Sequence, residues 1–128
     1  MELRKDPITQ SWVVVGQGEE LPVPSETCPL CSAFSSANPV LLQLPAHGAP
    51  QIKVVPHFQP LYRIEGEASR TPEGIYDRMR AVGAHEIIIE SPDHNQWLGR
   101  LKDDEIERVL EAYASRIADL KRDSRFKY

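Results

Sequence analysis

Gly83-Ala84-His85-Glu86-Ile87-Ile88-Ile89-Glu90-Ser91-Pro92-Asp93-His94 is the stretch around which the rest of the chain arranges itself. Residues of strand-like character, Glu86 to Glu90, lie between a glycine and a Ser-Pro turn, and a histidine stands beside each end. Three consecutive isoleucines predict apolar neighbours on both faces, and hence a strand in the middle of a covered sheet. The covering element is Asp103 to about Arg122, where Ile106, Val109, Leu110, Tyr113, Ile117 and Leu120 recur at helical steps as one apolar stripe. Asp103 or Asp104 is expected to cap it, with Asp104 and Glu107 at capping-box spacing and Lys121 and Arg122 complementing the dipole at its end.

Outward from this pair, Asp6 to Gln10 reads as a turn before Trp12-Val13-Val14-Val15, a β-rich run that Gly16-Gln17-Gly18 ends. Glu19 to Glu26 is acidic and proline-bearing, a loop. Cys28-Pro29-Leu30-Cys31 forms a knuckle followed by small residues. Val40 to Leu44 reads as a short strand between two prolines, and Gln51 to Val55 as a better one that Pro56 shuts off. His57-Phe58-Gln59-Pro60-Leu61-Tyr62 follows as a bend suited to a pocket wall. Glu65 to Pro72 reads as a surface excursion and Ile75 to Met79 as a short turn or helix. Ser124 to Tyr128 alternates polar and apolar like the start of a further strand, so partner elements are expected beyond it.

The 128 residues are one domain's worth, and 41 % apolar with 27 % charged is the balance of an ordinary globular protein. Against 15 basic residues stand 19 acidic ones, a net charge of −4, which argues against a non-specific nucleic-acid binder. No apolar run approaches the ~20 residues of a membrane span. The charged start Met1 to Asp6 has no signal-peptide core behind it, so a cytoplasmic location is expected.

The only two cysteines stand two residues apart, a spacing that lets both thiolates converge on one tetrahedral ion. A soft ion such as zinc then needs two more ligands, for which His94 and His85 are the strongest candidates besides His47 and His57. His94 follows a tight turn, and Asp93 or a backbone carbonyl is placed to orient its ring. The gap from Cys31 to His85 is too long for a compact zinc finger. A redox pair, or two buried thiols in a reducing compartment, is the rival reading. Glu86 and Glu90 stand four residues apart on a strand, roughly 13 Å, too far for joint acid–base work.

Several of these pieces occur in a known order. Glu2-Leu3-Arg4-Lys5-Asp6-Pro7-Ile8-Thr9 with Trp12-Val13, then Cys28-Pro29 with Cys31, then Val54-Val55-Pro56 and Pro60, then Tyr76-Asp77, Met79 and Gly83 to Glu90 with Pro92 and His94, resemble the N-terminal half of galactose-1-phosphate uridylyltransferases and the related ADP-glucose phosphorylases. The resemblance implies an α+β fold of the histidine-triad superfamily, an antiparallel sheet flanked by helices with one long C-terminal amphipathic helix, truncated here, and a homodimer. Residues 1–128 would be the N-terminal domain. It implies a structural zinc on Cys28, Cys31 and His94, with a fourth ligand from the first histidine of a His-Pro-His motif. The second histidine of that motif is the family's nucleophile, and no His-Pro-His occurs in these residues.

The implied reaction is ping-pong transfer of a nucleotidyl group between UDP-glucose and galactose 1-phosphate, in galactose metabolism. Arg4, His57, Phe58 and Gln59 match positions that bind the nucleotide sugar. Two departures stand out. His57 replaces an asparagine common in the family, and Gln17-Gly18-Glu19-Glu20 replaces an arginine-bearing segment, although acids there would repel phosphate. A zinc-stabilised, non-catalytic structural or interaction module is the alternative these departures leave open.

Overall fold

The computed structural model describes residues 1–16, 27–36 and 39–126. In chain order the elements are β1 (Glu2–Lys5), β2 (Trp12–Val15), α1 (Pro29–Ser35), β3 (Leu42–Leu44), β4 (Ile52–Pro56), β5 (Thr71–Glu73), β6 (Tyr76–Arg80), β7 (Glu86–Ile89), a 3-10 turn at Leu98–Arg100 and α2 (Asp103–Leu120). The named strands pair antiparallel in two sheets, giving an α+β fold with flanking helices. The chain divides into two units, Met1–Pro22 with Phe58–His85, and Val23–His57 with Glu86–Tyr128.

The first unit holds the sheet β2-β1-β6-β5. Strand β1 was not expected, because Glu2-Leu3-Arg4-Lys5 is mostly charged. It forms because it lies between two partners that use both its edges, with Leu3 opposite Val14 and Met79 and buried there. A hairpin replaces the expected excursion and helical turn. Tyr76 to Arg80 alternates exposed and half-buried residues, the two-residue period of a strand, and Gly74 supplies the φ of +61° that the tight connection to β5 requires. At the far end, a Cβ on Gly83 would stand 3.2 Å from the Tyr62 Cβ, so glycine lets the bend approach closely.

The second unit holds the sheet β3-β4-β7. Here the expectation for the isoleucine strand is corrected: among the described residues β4 is central and β7 pairs with β4 alone. Register puts Ile52 and Val54 on one face, beside Leu44, Leu42 and Ile88, and α2 packs Val109 and Ala112 onto them as the core. Each of these central residues is essentially inaccessible.

Helix α2 begins where the acidic run predicts and ends two residues short of Arg122. Its cap differs from expectation. Lys102 is the N-cap residue, and Glu105 reaches back to accept its backbone N–H at 2.8 Å, while Asp104 pairs with Arg108 instead. The buried face is also rotated from the predicted stripe. Val109 and Ala112 are covered, whereas Leu110 and Ile117 are 59 % and 54 % exposed.

Candidate metal centre

The Cys-Pro-x-Cys segment folds as the start of α1 rather than as a knuckle. Pro29 takes the first helical turn, where its missing N–H costs nothing and its fixed φ is already helical. Cys28 is the N-cap residue, with extended backbone, and its carbonyl accepts the Ser32 N–H at 3.0 Å and the Ser32 hydroxyl at 3.1 Å. An N-cap side chain and the one three residues later overlie the same first turn, so the two thiols share one side of it.

His94 arrives from the turn after β7. The Ser91 hydroxyl accepts the Asp93 N–H at 3.1 Å, and the Asp93 carboxylate accepts the Asn95 N–H at 2.9 Å. Asp93 therefore holds the turn rather than visibly orienting the imidazole. The result is a Cys31 Sγ to His94 Nδ1 separation of 3.3 Å, and all three donor atoms of Cys28, Cys31 and His94 lie within 4.8 Å of one another. Both cysteines are half-buried and His94 is exposed.

This donor set fits a metal ion. Metal–sulfur and metal–nitrogen bonds of ~2.3 and ~2.0 Å at tetrahedral angles put ligand atoms roughly 3.5–3.8 Å apart, close to the observed grouping. Two thiols and an imidazole suit a borderline-soft cation. The thiols are also unlike one another. The backbone N–H of Cys31, directed at the Cys28 sulfur, draws the Cys28 thiol down to about 7, with lesser help from Leu30, Cys31 and His94. The Cys28 sulfur in turn raises Cys31, with burial adding to the effect.

Among the described residues this is the one such grouping of His, Cys, Asp and Glu. His85 does not join it, and its Nδ1 accepts the Leu61 N–H at 3.2 Å, bracing the bend within the first unit. Arg4 lies on an exposed face of the first sheet, opposite Arg78, with Glu2 accepting its Nε–H at 2.8 Å. Of the bend, half-buried His57 belongs to the second unit, and Phe58, which is exposed, and half-buried Gln59 to the first. Gln17 to Glu20 lies outside the described residues. Glu86 and Glu90 are spent separately, on Arg116 and on the Tyr113 hydroxyl. Sequence reasoning missed Lys53, whose signal was a lone charge inside the apolar run Ile52 to Val55.

No protein-family profile matches the chain. It is 28 % identical over 134 residues to an ADP-glucose phosphorylase of Arabidopsis thaliana, an alignment covering 91 % of this chain and 38 % of that protein. It is also 28 % identical over 131 residues to a galactose-1-phosphate uridylyltransferase of Thermotoga maritima, covering all of this chain and 39 % of that one. The chain is homologous to the galactose-1-phosphate uridylyltransferase and histidine-triad-like superfamily. Solved uridylyltransferase structures share this fold. One superposes with a TM-score of 0.75 at 22 % identity over all of this chain and 38 % of its own, and a mutant form with 0.68 at 24 % over 97 % and 36 %. The chain thus spans about two-fifths of the length of these relatives. Among the described residues no helix is long and apolar enough to cross a membrane.

Proposed function

We propose that residues 1–128 are the N-terminal domain of a zinc-containing nucleotidyltransferase that acts between a nucleotide sugar and a hexose 1-phosphate. The observation that carries this is the convergence of Cys28, Cys31 and His94 in a chain homologous to uridylyltransferases. Zinc held by these three residues would tie α1 to the exit of β7 as a structural clip. The bend at His57, Phe58 and Gln59, with Arg4, contributes to the nucleotide-sugar site, and the protein acts as a homodimer.

In the reaction, a histidine from outside these residues attacks the α-phosphorus of UDP-glucose and expels glucose 1-phosphate. Galactose 1-phosphate then takes the uridylyl group from the resulting phosphoramidate and restores the imidazole. Neutral imidazole suits this step because it is nucleophilic and leaves readily from phosphorus. A cytoplasmic location agrees with such substrates.

The test is incubation of the full-length protein with radiolabelled UDP-glucose or ADP-glucose, followed by isolation of an acid-labile nucleotidyl-protein. Label from UDP-glucose with release of glucose 1-phosphate supports the uridylyl reading. Label from ADP-glucose alone moves the base preference toward that of the phosphorylase relative. No label with any nucleotide sugar favours the non-catalytic, zinc-stabilised module.

A further inference from the structure

Helix α1 is seven residues long and buries none of them. A helix this short is not stable alone, since isolated helices below ~12–15 residues are marginal in water. Something besides its own hydrogen bonds must hold it where its cysteines are useful.

Lys53 is the buried charged residue among those described, only 7 % exposed in the middle of β4. Lysine is almost never buried without partners. Its Nζ donates to the Phe34 carbonyl and, at 3.1 Å, to the Ser36 carbonyl, and it stands 5.3 Å from the centre of the Phe34 ring. These carbonyls close the C-terminal end of α1, where a helix runs out of internal donors and carries its negative pole. Because side chains alternate along a strand, Lys53 faces away from the side on which Ile52 and Val54 meet α2.

The opposite end of α1 presents Cys28 and Cys31. Strand β4 is hydrogen-bonded to β7, with Lys53 opposite Ile89, and the turn after β7 delivers His94. One ammonium group therefore fixes the thiol-bearing helix to the sheet that also sets the position of the imidazole. A Val or Ile at 53 would fill a buried strand position without the desolvation that a lysine costs, so the fold of the sheet alone gives no reason for the charge.

We infer that Lys53 is a positioning residue for the metal centre, holding the Cys28–Cys31 pair in register with His94 before an ion binds. This rests on the metal reading above. Without the clamp, binding must also order α1, and that cost is taken from the affinity.

The experiment compares the full-length protein with Lys53→Met, Lys53→Gln and Lys53→Arg variants. Each is stripped with chelator and titrated with zinc against a chromophoric competitor, and with cobalt(II) while following thiolate-to-metal absorption. Lys53→Met and Lys53→Gln should bind zinc about 10- to 100-fold more weakly, the range for losing a group that orients a ligand, and Lys53→Arg should recover most of it. Melting of the chelated protein should move little, which separates positioning from a general structural role. Equal zinc affinity in wild type and either Lys53→Met or Lys53→Gln overturns the inference. So does a loss that Lys53→Arg leaves unrepaired. If Lys53→Met does not fold, Lys53→Gln, which stays polar but is shorter and carries no ammonium group, decides. A wild-type protein that takes up no zinc or cobalt removes the metal reading itself, and this inference with it.

Discussion

Cys31 Sγ and His94 Nδ1 stand 3.3 Å apart although 63 positions separate them in the chain. An ion shared between them closes a loop of that length, which in the chain-entropy relation for cross-links is worth on the order of 4 kcal/mol. His94→Ala should therefore lower the stability of the zinc-loaded protein by about that amount and leave the chelated protein nearly unchanged. Urea unfolding of both variants, with and without chelator, reads the difference directly. Cys28→Ser and Cys31→Ser should behave alike, with less than stoichiometric zinc by elemental analysis.

In metal-stripped protein the two thiols should react in sequence. The thiolate is the reactive form, and Cys28 is drawn down to about 7 while Cys31 is raised above its ordinary value. Iodoacetamide should modify Cys28 first, at a rate that climbs as pH rises through about 7 and then levels off. Cys31 should follow only in more alkaline solution. Peptide mass spectrometry across a pH series gives both profiles, and saturating zinc should suppress both.

The elements that the sequence made legible are those whose signals are local. Trp12–Val15 is β-branched and glycine-ended, Ile52–Pro56 and Glu86–Ile89 are apolar runs with clear stops, and α2 has a helical period with an acidic start. Strand β1 was hidden because its pairing comes from two neighbours, one of them more than seventy residues away, and not from its own composition. The order of the second sheet was misread for a related reason. An isoleucine run reports burial, but burial does not say which strand is central. The Cys28, Cys31 and His94 grouping was legible as residue types and spacing, whereas Lys53 was not, because a charge at a buried position has meaning only once its partner carbonyls are seen.

The face of α2 is a direct test of what periodicity could not resolve. Six apolar residues at helical steps span more than one face, and the structure covers Val109 and Ala112 while leaving Leu110 and Ile117 largely exposed. Ala112→Leu should overpack against Ile52 and Val54 and cost about 1–3 kcal/mol. Leu110→Gln and Ile117→Gln should each change stability by less than about 0.5 kcal/mol. Urea midpoints for the three variants distinguish the two faces. Equal losses would place the stripe, and not Ala112, against the sheet.

Arg116 and Glu86 form the tie between α2 and β7 that should matter most. The Arg116 Nε and Nη2 each donate to a Glu86 carboxylate oxygen at 2.8 Å, and both side chains are nearly covered, at 13 % and 14 % exposure. A forked pair of this kind is strong, and removing Arg116 strands the Glu86 charge at a poorly solvated site, whereas removing Glu86 leaves Arg116 donating from Nη1 to Asp119 at 2.8 Å. Arg116→Ala should cost about 2–4 kcal/mol, below the full penalty for a completely buried pair, and Glu86→Ala should cost less because Asp119 still pairs with Arg116. The joint Glu86→Met, Arg116→Leu variant should regain most of that loss, because it leaves no unpaired charge at the poorly solvated site. Asp119, which loses Arg116, has a side chain 46 % exposed and still faces Arg122 at 3.6 Å. Arg108→Ala, which breaks the exposed pair with Asp104, should cost under about 1 kcal/mol and be masked by high salt. Additive losses in the Glu86 and Arg116 double mutant would mean that the two groups do not act as a pair.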